Sequence, residues 1–292
     1  MKQYMAIDIG GTFIKYGLVR EDANIIEQGK TKTPETLEAL IETIKQLTQK
    51  FSTATGVAIS APGAVSDKGI IYGTSALPYL HGPNIKELVE GKTNLPVYIE
   101  NDANCAGYAE LWNGSAKGKK DVLVVVLGTG IGGAVIKDGV LHKGANLHGG
   151  EFGYMLVDPY GEQSWSSVAA TASIITRVAK AKQVEESSLT GEQIFDLADQ
   201  GDQDCIQAID EFYHMLAAGI YNLQYMFDPE IILIGGGISA RSELIDKIKE
   251  KLTVILDKMK IAKVIPNLDA CLYRQNANLI GAVYGFKQTI EK

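Results

Sequence analysis

Asp8-Ile-Gly-Gly-Thr-Phe-Ile-Lys15 and Leu127-Gly-Thr-Gly-Ile-Gly-Gly-Ala134 are two glycine-rich turns, each with an extended stretch on both sides. Apolar residues Tyr4 to Ile7 and Val122 to Val126 lead into them, and Phe13 to Val19 and Ala134 to Ile136 lead out. Glycine admits backbone conformations closed to other residues and lets amide N–H groups approach an anion closely. The pattern predicts two β-hairpins whose tips present amides to phosphate. Two such tips in one chain indicate an internal duplication with a cleft between the copies.

Outward from the tips, the chain alternates strand and helix. Leu37, Leu40, Ile41, Ile44 and Leu47 fall at helical spacing after Thr33-Pro34-Glu35, which is expected to open that helix. Gly56 to Ser60 and Val97 to Glu100 predict buried strands, and Ala103 to Trp112 predicts a helix. In the second half, helix is expected from Val168 onward and over Glu192 to Phe227, with a break at Gly201-Asp202. The strand Ile231 to Ile234, the turn Gly235 to Gly237, an amphipathic helix over Ser242 to Met259 and a last helix from Ala277 complete the pattern.

The bulk properties narrow the function. At 292 residues the chain is long enough for two lobes. A net charge of −7 argues against a nucleic-acid partner, because phosphate backbones require a basic face. No apolar run reaches bilayer length and no secretory leader is read, so neither a membrane nor export is expected. Three dispersed cysteines, Cys105, Cys205 and Cys271, form neither a disulfide framework nor a CxxC pair. A reducing, cytoplasmic setting follows.

Two nucleotide signatures are imitated here. Gly128, Gly130 and Gly133 satisfy GxGxxG, but the dinucleotide fingerprint requires the turn to open a helix. Gly132, Gly133 and Gly139 around Val135 and Ile136 oppose helix, so an NAD-dependent dehydrogenase is disfavoured. Gly91-Lys92-Thr93 copies the end of a phosphate-binding loop, but Lys86 stands where its first glycine belongs. It follows a helical segment, and Gly91 is expected as a left-handed helix cap.

Other residues carry chemistry. Asp8 closes an apolar strand, where a carboxylate requires a partner; it is either a turn former bonded to its own loop or a Mg²⁺ residue beside nucleotide phosphates. Thr12 and Lys15 on the same hairpin favour the second. Asn101-Asp102 sit between a strand and a helix, where Asn101 can cap while Asp102 accepts a proton from a hydroxyl. Glu151 and Tyr154, in the loop beginning His148-Gly-Gly, can hydrogen-bond a polyol, and His148 is either a member of that site or a surface histidine.

In order along the chain, Asp8-Ile-Gly-Gly-Thr12 with Lys15, Ala61-Pro-Gly63, Glu100-Asn-Asp-Ala103, Leu127 to Gly133, His148-Gly-Gly-Glu151 and Ile234 to Gly237 closely resemble the ROK family. That family comprises sugar kinases, bacterial glucokinases and N-acetylmannosamine kinases among them, and sugar-responsive repressors. The resemblance covers nearly the whole chain. It implies an α/β fold of the duplicated actin-like ATPase (hexokinase- and ribonuclease H-like) class, two lobes with a central cleft. The lobes are expected at 1–116 and 117–276, with 277–292 a helix packing back on the first.

The resemblance also implies roles. Asp102 would be the catalytic base, and Gly63, Asn101 and Glu151 would bind the sugar. Asp8, Gly10, Gly11, Thr12, Lys15, Thr129, Gly130, Gly235, Gly236 and Gly237 would surround ATP, with Asp8 near Mg²⁺ through water or ATP. Relatives commonly dimerise, so a homodimer is expected. The repressor branch carries an N-terminal DNA-binding motif, and this chain opens directly in its first strand, so a repressor is not expected.

Departures from the family pattern bear on substrate. Many relatives hold zinc through a histidine and three cysteines; here Tyr154 takes the histidine position and 157–165 contains no cysteine, so zinc is not expected. A sugar-binding glutamate of relatives falls at Ser166, with Ala170 replacing a neighbouring serine. In relatives the altered histidine and glutamate positions face the C1–C2 end of the sugar, and those matching Asn101 and Asp102 face the C3–C6 end. The resemblance therefore implies changed recognition at C1–C2 with the 6-hydroxyl contacts kept. A site stripped of hydrogen-bond partners discriminates less at that position. The expected enzyme is an ATP-dependent sugar 6-kinase open to a hexose, an N-acetylhexosamine or a β-glucoside. The alternative is a sugar sensor without catalysis.

Overall fold

A computed structural model describes residues 1–158 and 160–291; Pro159 and Lys292, the last residue of the expected C-terminal segment, lie outside the described residues. The chain opens with β1 (Gln3–Ile9), β2 (Phe13–Arg20), β3 (Ile25–Lys32) and α1 (Leu37–Lys50). Then come β4 (Val57–Ala61), the short β5 (Ala64–Val65) and β6 (Ile71–Tyr72), α2 (Ile85–Thr93), β7 (Val97–Asn101) and α3 (Asp102–Asn113). The second half contains β8 (Val122–Leu127), β9 (Ile131–Lys137), β10 (Val140–Leu141), α4 (Trp165–Ala169), α5 (Thr171–Lys182), α6 (Gly191–Asp199) and α7 (Gln203–Phe227). It ends with β11 (Ile231–Gly235), α8 (Leu244–Lys258), β12 (Leu268–Ala270) and α9 (Ala277–Ile290).

These elements form two compact units. One holds Met1–Gly118, Val140–Gly149 and the chain from Gln275 on; the other holds Lys119–Gly139 and Gly150–Arg274. The segment Val140–Gly149, expected within 117–276, clusters with the first unit, where its Lys143 ammonium meets the Glu100 carboxylate at 3.1 Å.

The first unit's sheet runs β3-β2-β1-β4-β7. Its β1–β2 and β2–β3 pairs are antiparallel, while β1–β4 and β4–β7 are parallel. In the second unit β9-β8-β11-β12 repeats that logic, with β8–β9 antiparallel and β8–β11 and β11–β12 parallel. The strands buried on both faces read as near-continuous apolar runs, as central parallel strands do. Each unit has its own core. Ile7, Ile14, Leu40, Ile44 and Ile59 are fully buried in the first, and Val125, Trp165, Phe212, Ile232 and Ile234 in the second. Burying one such side chain contributes about 1.5–3 kcal/mol.

α9 packs on α3 and on β1, β4 and β7. The approach is close because Gly281 faces the backbone of α3, where a Cβ would stand 1.6 Å from the Cys105 carbonyl oxygen. No other residue permits that spacing.

Three local expectations are corrected. α1 starts at Leu37 rather than at Thr33, because the Thr36 side chain caps it by accepting the Ala39 amide. Thr33 is engaged elsewhere, donating its hydroxyl to Gly10 O at 2.6 Å. α2 continues through Gly91 to Thr93, and Asn94 takes the left-handed position with φ 55°. Asparagine tolerates that conformation, so Gly91 is left as an ordinary helical residue. Helix also begins earlier than Val168, at Trp165, because Ser164 caps α4 through the Ser167 amide.

Candidate active site

The first hairpin pairs Ile9 with Ile14 and is closed by Gly10 N–H donating to Phe13 O at 3.1 Å. Thr33 ties the tip down by its hydroxyl to Gly10 O and by its amide to Thr12 O at 3.0 Å. Asp8 lies at the base of this tip and is only 8% exposed. Its Oδ1 accepts from Ser60 Oγ and from Asn278 Nδ2, both at 3.0 Å, and its Oδ2 lies 3.7 Å from Lys15 Nζ. Two neutral donors fix the orientation of the carboxylate. Lys15 is half exposed, so its ammonium can serve a phosphate as well.

The second hairpin pairs Leu127 with Ile131, and Gly128 N–H donates to Gly130 O at 2.9 Å. No helix follows: Ile131–Lys137 is strand, which removes the dinucleotide fingerprint. Thr129 and Gly130 sit at the tip. Thr171, at the start of α5, donates both its hydroxyl (2.5 Å) and its amide (3.0 Å) to Gly128 O. Behind the tip, Gly235 ends β11 and Gly236 turns at φ 93°. A Cβ at Gly236 would stand 1.9 Å from Leu127 O, so only glycine lets this turn lie against the hairpin. Gly237 then opens a short 3₁₀ turn to Ala240.

Asn101 and Asp102 meet at the junction of β7 and α3. Asn101 caps the helix by accepting the Asn104 amide at 3.1 Å, and its Nδ2 donates to Gly63 O at 3.0 Å. Gly63 and Asn101 are thereby locked together. Asp102 is exposed, with Oδ1 accepting the Ala103 amide at 2.8 Å. An exposed carboxylate at the C-terminal end of a parallel strand lies where ligands bind in such sheets. Cys105, one turn along α3, is fully buried, and burial pushes its thiol well up, with Glu100, Asp8 and Asp102 adding to the rise. It is an inert packing residue.

In the second unit, Glu151 precedes a 3₁₀ turn Phe152–Tyr154, and the Tyr154 ring is 75% exposed. The Ser166 hydroxyl accepts the Ile131 amide at 2.9 Å and lies against Gly130 and Gly153, with its own O–H still free to donate. It braces the base of the second tip, a consequence of the capped start of α4. His148 Nδ1 bonds to the Asn146 carbonyl at 2.6 Å in its own loop.

Sequence reasoning passes over Ser60, Thr33, Thr171 and Asn278, the residues that orient Asp8 or hold the tips. Asn278 is 270 positions from Asp8, beyond the reach of any local pattern. Glu100 belongs to a recognisable motif, yet no pattern assigns it a role; it is 2% exposed and accepts the Asn101 amide at 2.8 Å. Among the described residues no cluster of three His, Cys, Asp or Glu side chains forms a metal centre, and no helix is long and apolar enough to cross a membrane.

The sequence profile of the ROK family matches residues 4–289. The β-glucoside kinase of Listeria innocua is 36% identical, with 97% of each chain covered. A ROK family protein from Streptococcus pneumoniae TIGR4, solved in complex with sucrose, is 37% identical and superposes with a TM-score of 0.92 over 99% of both chains. A ROK family glucokinase from Streptomyces griseus, solved with glucose and AMPPNP, is 28% identical with a TM-score of 0.77, covering 96% of this chain and 97% of that one. The two repeated sheets are those of the actin-like ATPase fold, and the chain belongs to the ROK family.

Proposed function

We propose that this chain, an ATP-dependent sugar kinase of the hexokinase type, phosphorylates the 6-hydroxyl of a hexose carried in a β-glucoside. The observation that carries the reading is the exposed Asp102 carboxylate beside the locked Asn101–Gly63 pair. Similarity to β-glucoside kinases supports the substrate class. So does Tyr154, whose exposed ring stands in place of the histidine of zinc-binding relatives and offers a platform to a second sugar ring. Ser166, a short hydroxyl where relatives carry a glutamate, offers fewer hydrogen-bonding atoms to the anomeric end.

In this mechanism Asp102 orients the hydroxyl and takes its proton as the oxygen attacks the γ-phosphorus, while ADP leaves. Asn101, Gly63 and Glu151 hold neighbouring hydroxyls and so bring the reacting oxygen into line. Amides of Gly11, Thr12, Thr129 and Gly130, with Lys15, would answer the charge that spreads over the transferring phosphoryl group, while Gly10 closes the first turn. The Gly235–Gly237 turn lets the nucleotide approach the backbone. Mg²⁺, when bound, neutralises phosphate charge; Asp8 suits it as one carboxylate acting through water, since Oδ1 is already taken by two donors.

An ADP-release assay across cellobiose, other β-glucosides, N-acetylmannosamine and glucose tests the substrate. The expected result is the highest kcat/KM with a β-glucoside; free glucose far ahead of all others would reject it. Sugar binding without ADP release would leave a sensor. Asp102→Asn is expected to retain sugar binding and lower kcat by at least ~10². Near-wild-type turnover would remove Asp102 from its role.

A further inference from the structure

We propose that Lys143 is a positioning residue for phosphoryl transfer: by neutralising the buried Glu100 carboxylate, it holds the Asn101–Asp102 turn in the geometry that presents Asp102 to the sugar hydroxyl. This rests on Asp102 acting as the base. Glu100 is 2% exposed, and a carboxylate so buried persists only where its charge and lone pairs are answered. One oxygen, Oε1, accepts the Asn101 amide at 2.8 Å and Asn104 Nδ2 at 3.1 Å. The other, Oε2, takes Lys143 Nζ at 3.1 Å and the Tyr98 hydroxyl at 3.3 Å.

The first pair of bonds controls the turn. Asn101 is held by its amide to Glu100, by its Oδ1 to the Asn104 amide and by its Nδ2 to Gly63. Asp102 is the next residue, so the direction of its side chain follows from that anchoring. The second pair supplies the charge. Lys143 also meets Asp67 at 3.1 Å, but the Asp67 side chain is 92% exposed and its pull is screened by water. Glu100 is the partner that matters. Its other close neighbours, Tyr98, Cys105 and Tyr108, are buried, and burial first and Glu100's charge second raise all three, so they face it neutral.

The pair borders a cavity of about 500 Å³, which Asp67, Lys86, Tyr108, His142 and Thr289 also line. Without Lys143, water in that space can draw the Glu100 carboxylate outward and release the Asn101 amide. A displacement of about 1 Å at a reacting group can cost ~10²-fold in rate. The tie lies within the first unit, to which Val140–Gly149 belongs.

The test compares wild type with Lys143→Arg, Lys143→Met, Glu100→Gln, the double variant Glu100→Gln/Lys143→Met and Asp102→Asn, measuring kcat and both KM values with cellobiose and ATP, and thermal melting. Lys143→Met is expected to lower kcat ~10–100-fold with the KM for ATP within about 2-fold. Lys143→Arg should stay within about 3-fold of wild type, since the positive charge is kept. The double variant should recover most of the kcat lost in Lys143→Met, because the uncharged side chain introduced by Glu100→Gln still accepts the Asn101 amide through its carbonyl oxygen.

Wild-type kcat in Lys143→Met, or a double variant no better than it, overturns the proposal. If Lys143→Met does not fold, the double variant must still match Glu100→Gln alone within about 3-fold, because a neutral side chain at position 100 no longer needs the lysine. A large further loss of kcat on adding Lys143→Met to Glu100→Gln overturns the proposal. A collapse of Asp102→Asn beside unaffected Lys143 variants would leave the kinase reading standing and remove Lys143. No ADP release with any sugar, or normal turnover in Asp102→Asn, would remove the base and this proposal with it.

Discussion

The two hairpins, each in its own sheet, repeat one pairing pattern and carry opposite chemistry. Two residues before the first tip stands Asp8, paired across the sheet with Lys15 on β2 and Ser60 on β4. Two residues before the second tip stands Val126, paired with Gly132 on β9 and Gly235 on β11. The duplicated backbone therefore presents a lysine, a carboxylate and a serine in one copy, and two glycines flanking a valine in the other. The first tip can act on charge, through Asp8 and Lys15. The second can act only through amides, the Thr129 hydroxyl and close backbone approach. Duplication preserved the hydrogen-bond frame, and divergence at one rung divided the labour.

The largest effect should come from erasing the charged rung. Asp8→Asn keeps the shape and at least one of the bonds from Ser60 and Asn278, while leaving Lys15 without its partner. It is expected to lower kcat by ~10²–10³, in the range of losing one electrostatic contributor at a phosphoryl or oxyanion centre, and to raise the Mg²⁺ concentration needed for half-maximal rate. Val126→Ala, at the same rung of the second copy, should cost about 1 kcal/mol of stability by lost packing and leave kcat within a few-fold. A Mg²⁺ titration of initial rates, with denaturant unfolding of both variants, compares them. Equal losses of kcat would erase the division of labour.

A smaller difference is expected at the first glycine of each tip. A Cβ on Gly10 would stand 2.8 Å from the Phe13 carbonyl oxygen, within the bond that closes the turn, whereas one on Gly128 meets nothing nearer than Gly130 O at 3.9 Å. Gly10→Ala must open its turn and should raise the KM for ATP about tenfold; Gly128→Ala should raise it less than about threefold. ATP-dependent rates measure both. A reversal of that order would mean that the first tip has slack which its backbone contacts do not suggest.

Much of this comparison is legible in the sequence, because it lies in short-range pattern. Flanking apolar runs and β-branched Val135 and Ile136 are enough to show that Gly128 to Gly133 turns a hairpin and opens no helix. Asn101-Asp102 at a strand-to-helix boundary is likewise a local signal. What escapes is long-range. Ser60 and Asn278 reach Asp8 from 52 and 270 residues away, and Lys143 reaches Glu100 from a loop that the sequence places in the other half of the chain. Gly91 reads as a left-handed cap because glycine there and asparagine three residues later are both acceptable caps, and the side-chain bond from Thr93 Oγ1 to Val89 O prolongs the helix. Motif alignment also gives no sign that the Ser166 hydroxyl accepts the Ile131 amide of β9, a bond set by the packing of α4.

The smallest expected difference concerns the threonines that hold the tips. Each copy uses one, Thr33 on Gly10 O and Thr171 on Gly128 O, but the anchorage differs. Thr33 is 6% exposed, and its hydroxyl supplies the bond to Gly10 O while its amide goes to Thr12 O instead. Thr171 sends both hydroxyl and amide to the same carbonyl. In Thr33→Val the Gly10 carbonyl loses that donor in a mostly buried setting, which costs about 1–3 kcal/mol. In Thr171→Val the amide still answers Gly128 O, so the loss should stay under about 1 kcal/mol. Denaturant midpoints at a common slope give both numbers. Were Thr171→Val the more damaging of the two, the second tip would depend on its side-chain anchor rather than on its backbone, and the contrast between a side-chain copy and a backbone copy would fail at its finest point.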